Sequence, residues 1–146
     1  MALVGSKAMG LARLRRMRLA VPPGFCVTTT AFASHVNGDI SGAPEEVRDR
    51  IGEIEVSGDL TRLIEHHYRR IGGGAVVVRS SATAEDLPGH SFAGQYDTFL
   101  NVTSPEACIE AVKKCWAALW TQRAYDYRQR HGFKHDRVRM AVIVQR

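Results

Sequence analysis

Gly72-Gly73-Gly74-Ala75-Val76-Val77-Val78-Arg79-Ser80-Ser81-Ala82-Thr83-Ala84-Glu85-Asp86-Leu87-Pro88-Gly89 is the stretch on which the reading of this 146-residue chain turns. Three glycines stop whatever precedes them. Ala75 to Val78 is a compact β-branched run of the kind that forms a buried strand. That strand delivers Arg79 and then the hydroxyl residues Ser80, Ser81 and Thr83 into a polar stretch reaching Gly94. Two readings stand side by side. Arginine's planar fork pairs with two phosphate oxygens at once, with the hydroxyls adding neutral hydrogen bonds. Alternatively the arginine reaches solvent from a strand end and the serines cap a turn.

Downstream, Gln95 to Val102 alternates with Tyr96, Thr98, Leu100 and Val102 on one face, which predicts a half-buried strand. Ser104-Pro105-Glu106 is a strong helix start and Gly132 a stop, with Cys108, Val112, Cys115 and Leu119 as the apolar stripe and Trp116 and Trp120 beside it. Val138 to Gln145 is a further strand. Such a strand needs neighbours on both sides and nothing follows it, so the ending suggests a fragment.

Upstream, Ser6 to Leu19 reads as a short helix with Ser6 as N-cap, ended by Pro22-Pro23-Gly24. Phe25 to Thr28 is a short strand, and one of Thr28, Thr29 or Thr30 caps a helix over Ala31 to Val36. Asn37 to Pro44 is a loop. Pro44 starts a helix burying Val47, Ile51 and Ile54, and after Gly58-Asp59 a second one carries Leu60, Leu63, Ile64, His67 or Tyr68, and Ile71. The mixed order predicts an α+β chain with a mixed sheet flanked by helices.

Hydrophobic residues make up 45% and charged residues 24%, which excludes a disordered tail. The net charge is +5, with Lys7, Arg13, Arg15, Arg16 and Arg18 close together. That balance fits an anionic partner, whether a nucleotide, a nucleic acid or an acidic surface. The three cysteines, Cys26, Cys108 and Cys115, form no CxxC pair and suggest reduced core thiols. No run approaches the ~18 apolar residues of a membrane span, and the N-terminus is no secretory signal, so a cytoplasmic location is expected.

Two further features bear on chemistry. Gly89-His90-Ser91-Phe92-Ala93-Gly94-Gln95 brackets small residues between glycines, as a loop folding over phosphates does, though an ordinary hairpin connection has the same composition. It is neither of the common glycine-rich nucleotide fingerprints. Gly5-Ser6-Lys7 places a lysine at a helix start, where backbone amides already favour an anion. Of the histidines, His35, His66, His67, His90, His131 and His135, each reads as a surface or loop residue, with His66-His67 on a solvated helix face. His131 and His135 have an i, i+4 spacing that Gly132 interrupts, which argues against a metal site. Glu85 and Asp86 are adjacent and point apart, so they tune the loop rather than act as a pair.

In order, Val4-Gly5-Ser6-Lys7-Ala8, Val21-Pro22-Pro23-Gly24-Phe25, Val78 to Pro88, and Ser91-Phe92-Ala93-Gly94-Gln95-Tyr96-Asp97-Thr98-Phe99-Leu100-Asn101-Val102 closely resemble the N-terminal nucleotide-binding domain of a known family. It is the domain shared by phosphoenolpyruvate synthase, pyruvate phosphate dikinase and rifampin phosphotransferase. The resemblance implies the front portion of an ATP-grasp fold, a partial domain over residues 1–146, in which two lobes clamp ATP. It implies that Lys7 contacts the ATP phosphates, that Arg79 is the phosphate-binding and catalytic arginine, and that Gly94 and Thr98 belong to the loop and strand covering the phosphates. It also puts Gln145 near the strand bordering adenine. In such enzymes the β-phosphate of ATP passes to a histidine of a separate domain and then to pyruvate or a hydroxyl of rifampin, leaving AMP and phosphate. The Mg2+ ligands, the phosphohistidine and the substrate domain are expected outside this chain, which alone is expected to be inactive. No nucleic acid or membrane partner is implied. Ser6 stands where the family usually has a second glycine, and the span from Phe25 to Arg79 is short. Two rival readings are a small basic nucleic-acid-binding module using Arg13, Arg15, Arg16 and Arg18, and an inactive remnant.

Overall fold

The computed structural model describes residues 3–36, 40–83 and 97–146. The helices are α1 (Ser6–Arg16), α2 (Thr29–His35), α3 (Pro44–Gly52), α4 (Gly58–Arg70), α5 (Pro105–Ala117) and α6 (Gln122–Arg130). The strands are β1 (Gly24–Val27), β2 (Val76–Ala82), β3 (Thr98–Val102) and β4 (Met140–Gln145). The sheet order is β1-β4-β2-β3. Every pair among the described strands is antiparallel, which corrects the expected mixed sheet. The α+β class holds.

The central pair corrects two other expectations. β4 does have a neighbour on each side, β1 and β2, both supplied by earlier parts of the chain. β2 does not stop at Val78: it runs on through Arg79, Ser80, Ser81 and Ala82, opposite Ile143, Val142, Ala141 and Met140. The serines are polar, yet both are buried. Each finds a backbone partner or a neighbouring element, so hydrogen bonding compensates their burial.

Strand alternation divides the sheet into two faces. Val76, Val78, Met140, Val142 and Val144 point into the core. There α5 crosses β2, β3 and β4, with α2, α3 and α4 packed around it. Trp116 is fully buried, and Phe32 sits edge-on to it at 6.0 Å and stacked on Trp120 at 6.3 Å. Cys108 and Cys115 fill this layer as buried free thiols, as the sequence suggested; burial raises Cys108 to a pKa of about 12.

Several predicted bounds shift for identifiable reasons. The single helix expected from Ser104 to Gly132 is two, because after a 3-10 turn Thr121 leaves the helical conformation and its hydroxyl caps α6 through Ala124 N at 3.3 Å. Ser57 caps α4, and Leu63 of that helix is 55% exposed rather than buried. In β3, Asn101 has φ +54° and forms a bulge opposite the Val76–Val78 step. The extra residue breaks the alternation, so Val102 is buried while Thr98 and Leu100 are exposed. The expectation of one shared face for Thr98, Leu100 and Val102 therefore fails at the bulge.

Candidate functional site

The second face of the sheet carries Arg79, Ser81, Ile143, Gln145 and Cys26 by alternation. Cys26, Ile143, Arg79 and Thr98 stand in register as one row across all four strands. α1 lies over this face. It begins at Ser6 as expected, but its N-cap is Gly5 rather than Ser6, and no side chain caps it. Gly5 is buried because the chain touches β2 there: a Cβ on Gly5 would fall 2.2 Å from the Ser81 carbonyl oxygen. Only a residue without Cβ permits that approach.

Two hydrogen bonds complete the junction. The Ala8 N–H donates to Ser81 Oγ at 3.4 Å. Lys7 Nζ donates to the Ser80 carbonyl at 3.3 Å. The first turn of α1 has no acidic residue, so Lys7 adds to the positive helix end without a carboxylate in that turn to offset it. Ser80 in turn donates from N and Oγ to the Asp97 carbonyl at 3.4 and 3.3 Å, joining β2 to the start of β3.

Arg79 is half-buried in mid-strand, not at a strand end, and its Nε is buried with no hydrogen-bond partner among the described residues. A buried unpaired guanidinium N–H costs stability unless something accepts from it. An acceptor placed there would relieve that cost. Thr98, exposed, faces Arg79 across the β2–β3 ladder. Gln145, half-buried, lies one row away on the same face, its Nε2 donating to the Pro22 carbonyl at 3.1 Å. Gly94 lies outside the described residues, as do Glu85, Asp86 and His90.

Between α1 and the sheet is a cavity of about 230 Å³ lined by Leu11, Pro22, Phe25, Cys26 and Ile143, with Arg15 and Gln145 as its polar residues. α1 has no buried residue of its own, so it does not fill this gap. Desolvation pushes the Cys26 thiol up to a pKa of about 11, which favours the neutral thiol as part of the cavity's apolar wall. Sequence reasoning did not assign Cys26 or Ile143 to the site. Their pairing with Arg79 depends on β1 and β4 meeting, which no local pattern announces. Among the described residues no group of three or more His, Cys, Asp or Glu side chains could hold a metal, and no helix is long and apolar enough to cross a membrane.

The arrangement can hold an extended anion against Lys7 and Arg79 with a flat apolar group beside Ile143. Comparison with known proteins shows the family. Residues 1–146 match the family described as pyruvate phosphate dikinase, AMP/ATP-binding domain. The chain is 41% identical to a rifampicin phosphotransferase of Bacillus cereus over 166 aligned positions, covering 99% of this chain and 19% of that protein. It is 40% identical to a phosphoenolpyruvate synthase of Aeropyrum pernix, covering 99% of this chain and 21% of the other. A prodigiosin synthesizing transferase of Serratia marcescens is 38% identical across 97% of this chain and 16% of its own length. The chain thus spans about a fifth of the length of the curated relatives it matches.

Proposed function

This chain belongs to the pyruvate phosphate dikinase AMP/ATP-binding domain family, and on that premise we propose that it is the first lobe of an ATP-grasp site serving a dikinase-type phosphotransferase. Lys7 and Arg79 grip the phosphates of ATP, Thr98 fixes a phosphate oxygen or the loop that contains Gly94, and Gln145 borders the adenine. The observation that carries this reading is that Lys7 Nζ rests on the carbonyl of Ser80, the residue next to Arg79. Both cations thereby belong to one edge of one sheet face.

Phosphoryl transfer asks a protein mainly to position phosphates and offset their charge. Lys7 acts as a point charge from above the sheet, and Arg79 as a fork from within it. The Nε of Arg79 gains an acceptor when a phosphate arrives. The apolar cavity of about 230 Å³ is smaller than the roughly 300–1,000 Å³ of whole-ligand pockets. It suits a base ring, with ribose and phosphates lying outside it along α1.

Mg2+, with ligands expected outside this chain, would supply charge neutralisation at the phosphates. The β-phosphate passes to a histidine of another domain and from there to an acceptor. Relatives named for phosphoenolpyruvate synthesis and for rifampicin phosphorylation support pyruvate as the acceptor, with rifampicin as the alternative. The test is Arg79→Ala in the full-length protein. ATP-dependent turnover should fall by roughly two to four powers of ten, on the scale of other lost electrostatic donors. Lys7→Ala should chiefly weaken ATP binding measured by calorimetry. Near-normal turnover of Arg79→Ala, or unchanged affinity of Lys7→Ala, refutes the assignments.

A further inference from the structure

We propose that the cleft at the open edge of β1 is a second anion site, built by Arg15, His67 and Arg70 and suited to a compact phosphate-bearing molecule. β1 is an edge strand of the sheet. The cleft, about 360 Å³, wraps its Gly24–Phe25 end between the last turns of α1 and α4. Arg15 comes from α1, and His67 and Arg70 come from α4, with Ile71 as apolar wall. The Phe25 ring lies 5.5 Å from the His67 ring and holds the imidazole against the cleft. This corrects the expectation that both His66 and His67 lie on a solvated face, since His67 is half-buried. A further cation stands at the rim: Arg146 Nη1 lies 2.5 Å from where a Cβ on Gly72 would be.

The positive charge here is not balanced locally. On α4 the neighbouring arginines are engaged, Arg62 with Asp59 and Arg69 with Glu65. Arg15, Arg70 and Arg146 have no carboxylate partner among the described residues. Two helix C-termini point this way and contribute roughly half a negative charge each. Together that is about one unit, against three guanidinium charges. The residual charge favours an anion, and guanidinium forks arriving from separate segments match the several oxygens of a phosphate.

This cleft is not the place where Lys7 and Arg79 meet. Lys7 and Arg15 are at opposite ends of α1, about 12 Å apart along the axis at 1.5 Å per residue. The cleft shares Arg15, Gly24 and Phe25 with the wall of the cavity beneath α1, and neither Lys7 nor Arg79 lines it. The test is calorimetric titration of inorganic pyrophosphate into the full chain carrying Lys7→Ala and Arg79→Ala, which removes the other cations. Pyrophosphate should still bind. Adding Arg15→Gln and Arg70→Gln should weaken it at least tenfold, with circular dichroism and the anion-free melt unchanged. Arg15→Lys with Arg70→Lys keeps the charge, loses the forks, and should weaken binding several-fold; it decides the matter if the Gln variant misfolds. Loss of all pyrophosphate binding in the Lys7→Ala, Arg79→Ala background overturns the proposal, as does unchanged affinity in the Arg15, Arg70 variants.

Discussion

Replacing Gly5 by alanine tests the contact that sets Lys7 against the sheet. Gly5 has φ −77° and ψ 176°, ordinary values for alanine, so the backbone conformation is not at stake. The conflict is steric: the new Cβ would meet Ser81 O at 2.2 Å, Ser81 Oγ at 2.4 Å and the Ser81 carbonyl carbon at 2.5 Å. Two of these are backbone atoms in a buried, doubly paired strand, so they cannot swing aside. The start of α1 must retreat by about 1 Å to restore van der Waals contact, an overpacking change that costs roughly 1–3 kcal/mol. The retreat stretches the Ala8–Ser81 bond, already 3.4 Å, and the Lys7–Ser80 bond at 3.3 Å beyond useful length. For a chain of this size the melting temperature should drop by roughly 3–10 °C. A displacement of about 1 Å at a phosphate-positioning group lowers activity by up to about 100-fold. Gly10→Ala is the internal control, since nothing lies within 4 Å of its Cβ and it sits inside the same helix. That change should stabilise by roughly 0.5–1 kcal/mol. Thermal melts and ATP titrations of both variants decide. Wild-type stability and affinity in Gly5→Ala would refute the reasoning.

Other outcomes follow from single residues. Arg18 has φ +60° at the end of α1, where its N–H bonds Arg15 O at 3.0 Å and the Leu19 N–H bonds Leu14 O at 3.1 Å. This is a glycine-type helix ending occupied by arginine, so Arg18→Gly should stabilise by about 1 kcal/mol in denaturant unfolding, and a loss of stability would contradict it. His135 Nδ1 accepts from Arg128 Nε at 2.9 Å and so is neutral in the fold. Burial first, and Arg128 second, lower its pKa below 6.5. Its contribution is therefore complete above about pH 6.5 and is lost as pH falls from there toward the lowered folded value. Stability measured from pH 8 to 5 should decline in the wild type and decline less in His135→Gln; identical profiles would refute the link.

Much of the fold was legible because local chemistry and tertiary structure agree. Pro44, Thr28 and Ser104 start helices as their side chains suggest, and the Gly72–Gly74 stop precedes a strand as expected. The failures share one cause, which is that distant partners decided them. Ser80 and Ser81 look like loop residues until β4 and α1 satisfy them. Thr121 looks like a helix interior until its hydroxyl takes the Ala124 amide. The bulge at Asn101 and the neighbours of β4 are invisible to any window of sequence. For the candidate site, Lys7 and Arg79 are proposed from weak local signals joined by the resemblance, whereas the row containing Cys26 and Ile143 follows from strand pairing alone.

The central claim is that Lys7 and Arg79 hold one polyphosphate on the α1-covered face of the sheet. A crystal structure of the full-length protein with a non-hydrolysable ATP analogue tests it most directly. The account predicts phosphate oxygens about 2.7–3.2 Å from both the Lys7 ammonium and the Arg79 guanidinium, with Nε of Arg79 now paired. A triphosphate bound out of reach of both groups, or on the face packed by α5, would contradict it.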